Sequence, residues 1–182
     1  SLLTDELIKT IGKHIVNGQR VSAAMAACLA AGELGDARFL PYLHKAIKDP
    51  MAEKPFTEEF DQRNADKIRR EARKAAARLG DTAASSEIRR EILDKNLVKQ
   101  YNAIMDAAYA RDRQAVELII PFLDKEYGPP NPSIDNMQYV KFDILACNVL
   151  DMIVDGKNLR WIDEPTTREK ARKRAAVWKQ WW

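Results

Sequence analysis

Apolar residues recur nearly everywhere along the chain at the three-and-four spacing of helices that bury one face, and no convincing alternation of apolar and polar positions marks a strand. The pattern predicts nine helices. Thr4 or Asp5 opens the first, which closes near Asn17-Gly18, a turn signal. The second covers about 21–32. Asp36 is placed to cap a third that stops before Asp49-Pro50. A fourth runs from about 58 to 79 and ends at Gly80, and Asp81 caps a fifth reaching about 95. A sixth covers 97–110, Asp112 caps a seventh that ends at Tyr127-Gly128, and an eighth spans about 136–154. Thr166 with Glu169 three positions later forms a capping box for the ninth.

Self-similarity changes the picture from a set of helices to a repeat. Ala27, Ala30, Ala31, Leu34, Gly35 and Asp36 superpose on Ala72, Ala75, Ala76, Leu79, Gly80 and Asp81 at identical spacing, and Ala103, Ala107, Ala110 and Asp112 form a weaker third copy. In each copy a small-residue helix ends, turns tightly and hands over to a helix capped by Asp. Small side chains let two helices approach closely, and glycine tolerates the left-handed backbone of a helix end. Independently, Phe39-Leu40-Pro41-Tyr42-Leu43 matches Ile119-Ile120-Pro121-Phe122-Leu123, with Lys45 over Lys125, at an offset of 80 residues. A proline inside a helix costs about 3 kcal/mol, so its recurrence predicts a deliberate kink in the outer helix of each unit.

The run Ile68-Arg69-Arg70-Glu71-Ala72 through Leu79-Gly80-Asp81, together with Pro41 and Pro121, resembles HEAT repeats of the short bacterial type also seen in phycobilin lyases. The resemblance is clear from about 23 to 124; Arg111 stands where the pattern has glycine, and long insertions interrupt the units. It implies an all-α fold, a right-handed α-α superhelix of about four helix pairs plus a C-terminal capping helix, in one domain over 1–182. It also implies that the second helix of each pair lines a concave surface, and that Arg69 ties neighbouring repeats together.

Composition adds bounds. The chain of 182 residues has 46% hydrophobic and 31% charged residues, the balance of a folded soluble chain. Thirty bases against 27 acids leave a net charge of +3, so only local clusters can present a basic face. No apolar run approaches the roughly 18 residues of a membrane span. Cys28 and Cys147 each lie in an apolar helical stretch and read as small buried hydrophobes, with a mild lean to a reducing compartment. The chain opens at Ser1 with no signal-peptide pattern, which leaves open a trimmed chain and the mature form of an exported one; the cytoplasm is the default expectation.

Three features are candidates for function. The turns at 49–58 and 127–135 are long and carry Pro50, Pro55, Pro129, Pro130 and Pro132. Insertions on one side of a stack decorate one edge, here with Met51, Phe56, Phe60 and Tyr127. These aromatics either fold back to plug the core or form a binding rim. Arg70, Arg73, Lys74 and, less closely, Lys67 share a helix face opposite Ile68, Ala72, Ala75 and Leu79. That face reads either as a solvated surface balanced by Glu58, Glu59, Asp61, Asp66 and Glu71, with Asp66 and Arg70 four apart, or as a positive groove for an anionic ligand. In the last helix Ala171, Ala175, Trp178 and Trp182 share one side, with Trp181 beside it, and basic residues fill much of the rest. The tryptophans suit a cap over the final core face; a docking site or an aromatic-basic nucleic-acid contact is the alternative. Trp161, in the loop 155–165, reads as a loop anchor or a ligand contact.

Catalysis has little support: His14 and His44 fall in different repeats, and no Gly-rich phosphate loop, HExxH or CxxC occurs. The expectation is a non-catalytic scaffold with no cofactor and no metal, holding a protein or peptide partner on its concave face and long loops, with Arg70, Arg73, Lys74, Phe56, Tyr127 and Trp161 as candidate contacts. Nucleic-acid binding, in the manner of HEAT-like DNA glycosylases, is the alternative, and a chromophore-lyase-like role a second. The oligomeric state stays open.

Overall fold

The computed structural model describes residues 3–17, 20–50, 62–126, 128, 141–155 and 168–181. Among these, every regular element is helical: nine α-helices and three short 3-10 segments, with no strand. By contacts the chain divides into two compact units, Ser1–Ser85 and Ser86–Trp182, the division falling inside one helix.

The first unit holds α1 (Asp5–Asn17), α2 (Val21–Leu34), a 3-10 turn at Ala37–Phe39 that runs into α3 (Leu40–Lys48), α4 (Gln62–Arg78) and the start of α5 (Thr82–Ile92). Helix α1 packs on α2 and α3 on α4, as two hairpins; α2 then packs on α4 and α1 on α3. Like elements of successive hairpins therefore meet. The repeated small residues of the two packed helices α2 and α4, Ala27, Ala31, Ala72, Ala75 and Ala76, are all buried. On the other side, Gly12 of α1 lies against Tyr42 of α3 so closely that an added Cβ would stand 2.6 Å from the ring.

The second unit contains the rest of α5, α6 (Leu97–Ala110), a 3-10 turn at Arg113–Ala115, the short α7 (Val116–Ile119), a 3-10 segment at Ile120–Asp124, α8 (Phe142–Asp155) and α9 (Arg168–Trp181). Helix α8 is its hub and packs on α6, on α7, on the 120–124 segment and on α9. That explains its composition: Phe142, Leu145, Ala146, Cys147, Val149, Leu150 and Ile153 are buried, more than one face of a surface helix supplies. Phe142 meets Phe122 edge-to-face, with ring centroids 5.1 Å apart.

The three repeated helix ends are formed as the sequence pattern predicts. Gly35, Gly80 and Arg111 have φ of 71°, 90° and 55°, the left-handed region. After α4, Asp81 N–H bonds the Ala76 carbonyl and Gly80 N–H that of Ala77; after α6, Asp112 and Arg111 repeat this onto Ala107 and Ala108, two Schellman endings. After α2 the simpler single bond runs from Gly35 N–H to the Ala31 carbonyl. The next segment is then capped each time, Asp36, Asp81 and Asp112 accepting from the amides of Arg38, Ala84 and Gln114. Arg111 holds the left-handed conformation that costs a residue with a Cβ roughly 1–2 kcal/mol. Gly80→Ala is accordingly expected to lower stability by about 1 kcal/mol and Arg111→Gly to raise it by a similar amount. At Gly80 an added Cβ meets nothing within 4 Å, so the effect there is purely one of backbone. Urea unfolding followed by circular dichroism checks both, and same-sign shifts would contradict the argument.

Two elements differ from the sequence pattern. Pro41 and Pro121 do not kink the middle of one helix; each sits in the first two positions of a new helical segment, α3 and the 120–124 segment. There the missing N–H has no intrahelical partner to lose, and the change of hydrogen-bonding pattern replaces a bend. The stretch expected as one helix over 112–127 is thus 3-10, α and 3-10 in turn, ending at Asp124, and α5 stops at Ile92. The expected starts at 58, 136 and 166 lie outside the described residues.

Candidate functional site

Of the predicted contact residues, Phe56, Tyr127 and Trp161 lie outside the described residues. Arg70, Arg73 and Lys74 are all on α4 and half-buried. Lys74 Nζ lies 2.8 Å from Glu71 Oε1, and both side chains are largely covered. Arg69 Nε donates to the Ile47 carbonyl at 3.1 Å, clasping the end of α3, and its guanidinium pairs with Asp66. Arg78 Nε donates to the Gly32 carbonyl at 3.2 Å while Nη2 reaches Glu33 at 2.9 Å, joining the ends of α4 and α2. Pairs this close cancel much of each other's field beyond a few ångströms, so α4 projects less positive potential than its cations suggest.

A His–Asp contact was not legible from motifs. His44 Nε2 on α3 lies 2.6 Å from Oδ2 of Asp81, the cap of α5. One copy later Arg89 Nη1 on α5 lies 2.7 Å from Oδ2 of Asp112, the cap of the 113–115 turn. His44 stands eight positions after Asp36, and Arg89 eight after Asp81. A nitrogen side chain at that position reaching the next cap is a repeated tie between successive segments, histidine in one copy and arginine in the next. The equal eight-residue spacing from the preceding cap is the one trace of this tie in the sequence; the contact itself is a product of the fold.

The Ala84 amide donating to Asp81, with His44 beside it, holds that carboxyl below its ordinary 3.8. A carboxyl depressed in the folded state contributes stability above its unfolded value and loses it as pH falls through the folded one. Asp81→Asn keeps a capping side chain but cannot ionise. It is expected to reduce the acid-induced fall of Tm below about pH 4, measured by thermal scans from pH 6 to 2. A variant falling as steeply as the parent would refute the assignment.

The remaining candidate lies between α8 and α9, where a groove of about 310 Å³ is lined by Asp151, Val154, Arg174, Val177, Trp178 and Trp181. Ala175 and Trp178 turn inward, and Trp178 Nε1 donates to Asp151 Oδ1 at 3.1 Å. Arg174 donates to Asn148 at 3.3 Å and pairs with Asp151. Trp181 packs edge-on to Trp178, centroids 5.4 Å apart, yet remains 59% exposed, and Val177 is 66% exposed. The two tryptophans thus divide the roles that the sequence left joined: one covers α8 and the other faces out. On the opposite side of α9, Leu123, Asp124, Glu126 and Asp143 with Lys179 line an acidic hollow.

Neither cysteine offers a nucleophile at the surface: both are buried and neither is in a disulfide, and burial pushes the Cys147 thiol up to about 11. Among the described residues no group of acidic, His or Cys side chains is arranged to hold a metal ion, and no helix is long and apolar enough to cross a membrane. No protein-family model matches the chain, and no curated protein is similar to it in sequence.

Proposed function

We infer that the chain is a non-catalytic interaction scaffold of HEAT-like helix pairs that holds a protein or peptide partner through shape and charge. The observation that carries this reading is the α8–α9 groove, where Val177 and Trp181 stay exposed beside an anchored Arg174. An exposed tryptophan braced by a buried one has the character of a binding hot spot. The repeat reading draws support from the buried alanines that recur in the packed helices α2 and α4, the three matching helix ends, and the ties His44–Asp81 and Arg89–Asp112. The close pairing of Lys74 with Glu71 and of Arg78 with Glu33 favours a protein partner over a nucleic acid, since phosphate binding draws on cations that the fold has not engaged.

A displayed random-peptide library panned against the whole chain is expected to enrich discrete sequences that bind at micromolar or better affinity. A library yielding no binder, with duplex DNA captured in a steeply salt-dependent manner, would replace this reading with the nucleic-acid one.

A further inference from the structure

We propose that Lys173, Arg174, Val177 and Trp181 form a docking strip for an acidic amphipathic segment of a protein partner, one in which a carboxylate lies about one helical turn from a large apolar side chain. The inference rests on the interaction-scaffold reading and narrows it to one surface and one chemistry. Positions 173/174, 177 and 181 succeed one another along one side of α9, over about 12 Å of helix at 1.5 Å per residue. The strip changes character along its length, from cations in one turn to valine in the next and tryptophan in the third.

Its polar end is set in advance. Asn148 and Asp151 hold the guanidinium of Arg174, so little of its side-chain freedom remains to be lost on binding, and Lys173 beside it supplies the exposed cation of the strip. Its apolar end is an open groove whose floor includes the buried Trp178, with room for one leucine or phenylalanine side chain. Helix α9 carries six Lys and Arg against a single Glu; with Arg174 paired to Asp151 and Lys179 to Asp124, an excess of three positive charges remains, which favours an acidic partner.

The same geometry disfavours two other occupants. A helix lying on a membrane needs its apolar face free, whereas α9 turns Ala175 and Trp178 inward and packs against α8. A phosphate backbone following α9 round would meet Asp124, Glu126 and Asp143 on the other side, with Lys179 already paired to Asp124.

The test uses the whole chain and helical peptides of about 14 residues, four turns. One carries Glu a turn away from Leu, a second has Lys for Glu, and a third has Ser for Leu. Calorimetric titration is expected to rank the first peptide about tenfold or more above the others. Trp181→Ala is expected to weaken it by a similar factor, and Lys173→Glu to shift preference toward the Lys peptide. Both positions are exposed, and unchanged circular dichroism shows that these variants are folded. Library-selected peptides whose binding ignores Trp181→Ala would overturn the strip while leaving the scaffold reading in place. Equal binding of all three peptides, or Trp181-dependent binding only to phosphatidylglycerol vesicles or to a single-stranded oligonucleotide, would also overturn it. A library without any binder removes the scaffold reading itself.

Discussion

Truncating Trp178 to alanine is expected to destabilise the second unit by about 3–5 kcal/mol, the range for removing a buried indole, while Trp181→Ala costs about 0.5–1.5 kcal/mol. The two residues are three apart on one helix and chemically identical, so the contrast isolates burial. Trp178 is only 9% exposed and hydrogen-bonded to Asp151, whereas Trp181 is 59% exposed and loses one edge-to-face contact; such a contact is worth about 0.5–1.5 kcal/mol. Trp178→Phe separates area from hydrogen bond and should recover all but about 1–2 kcal/mol. Urea unfolding of the three variants by far-ultraviolet circular dichroism measures the series. Similar losses for Trp178→Ala and Trp181→Ala would mean that α9 does not cover α8, and the groove between them would lose its floor.

Ala72→Leu carries the second large expected effect. Ala72 is fully buried on α4, whose packing partners are α2 and α3, and the repeat places it over Ala27 on α2. Three extra carbons there must push the helices apart or force strained rotamers, at about 1–3 kcal/mol or more. Ala26→Leu, on the exposed side of α2, is the matched control and should stay within about 0.5 kcal/mol. Leucine is a good helix former, so intrinsic propensity predicts tolerance at both sites and only the close approach of helices predicts a difference. Equal stabilities would show that the recurring alanines serve propensity rather than packing.

What could be read without coordinates was local. The helices follow from apolar spacing, and their ends follow from Gly35, Gly80 and the capping Asp residues, because a left-handed ending and a side-chain cap involve only a few consecutive residues. The third ending was legible despite Arg111, since the surrounding alanines and Asp112 kept their spacing. Cys28 and Cys147 read correctly as buried for the same reason, from their apolar helical surroundings.

Other features depended on what arrives from elsewhere in the chain. Pro41 and Pro121 were seen, but whether a proline bends a helix or begins one turns on how the preceding residues pair their amides. Lys74 read either as part of a positive groove or as balanced by acids such as Glu71, and the structure pairs it with Glu71; the partners of Arg69 and Arg78, namely Ile47, Gly32 and Glu33, come from other helices. His44 and Arg89 reach caps 37 and 23 residues away, a distance no local pattern spans. The sequence by itself therefore determined that the described segments are helical and where the three repeated ends turn, because backbone hydrogen bonding and capping are settled among near neighbours. Only the tertiary structure decided which cation meets which carboxylate and which tryptophan is covered, because burial depends on faces that residues far apart in the chain bring together.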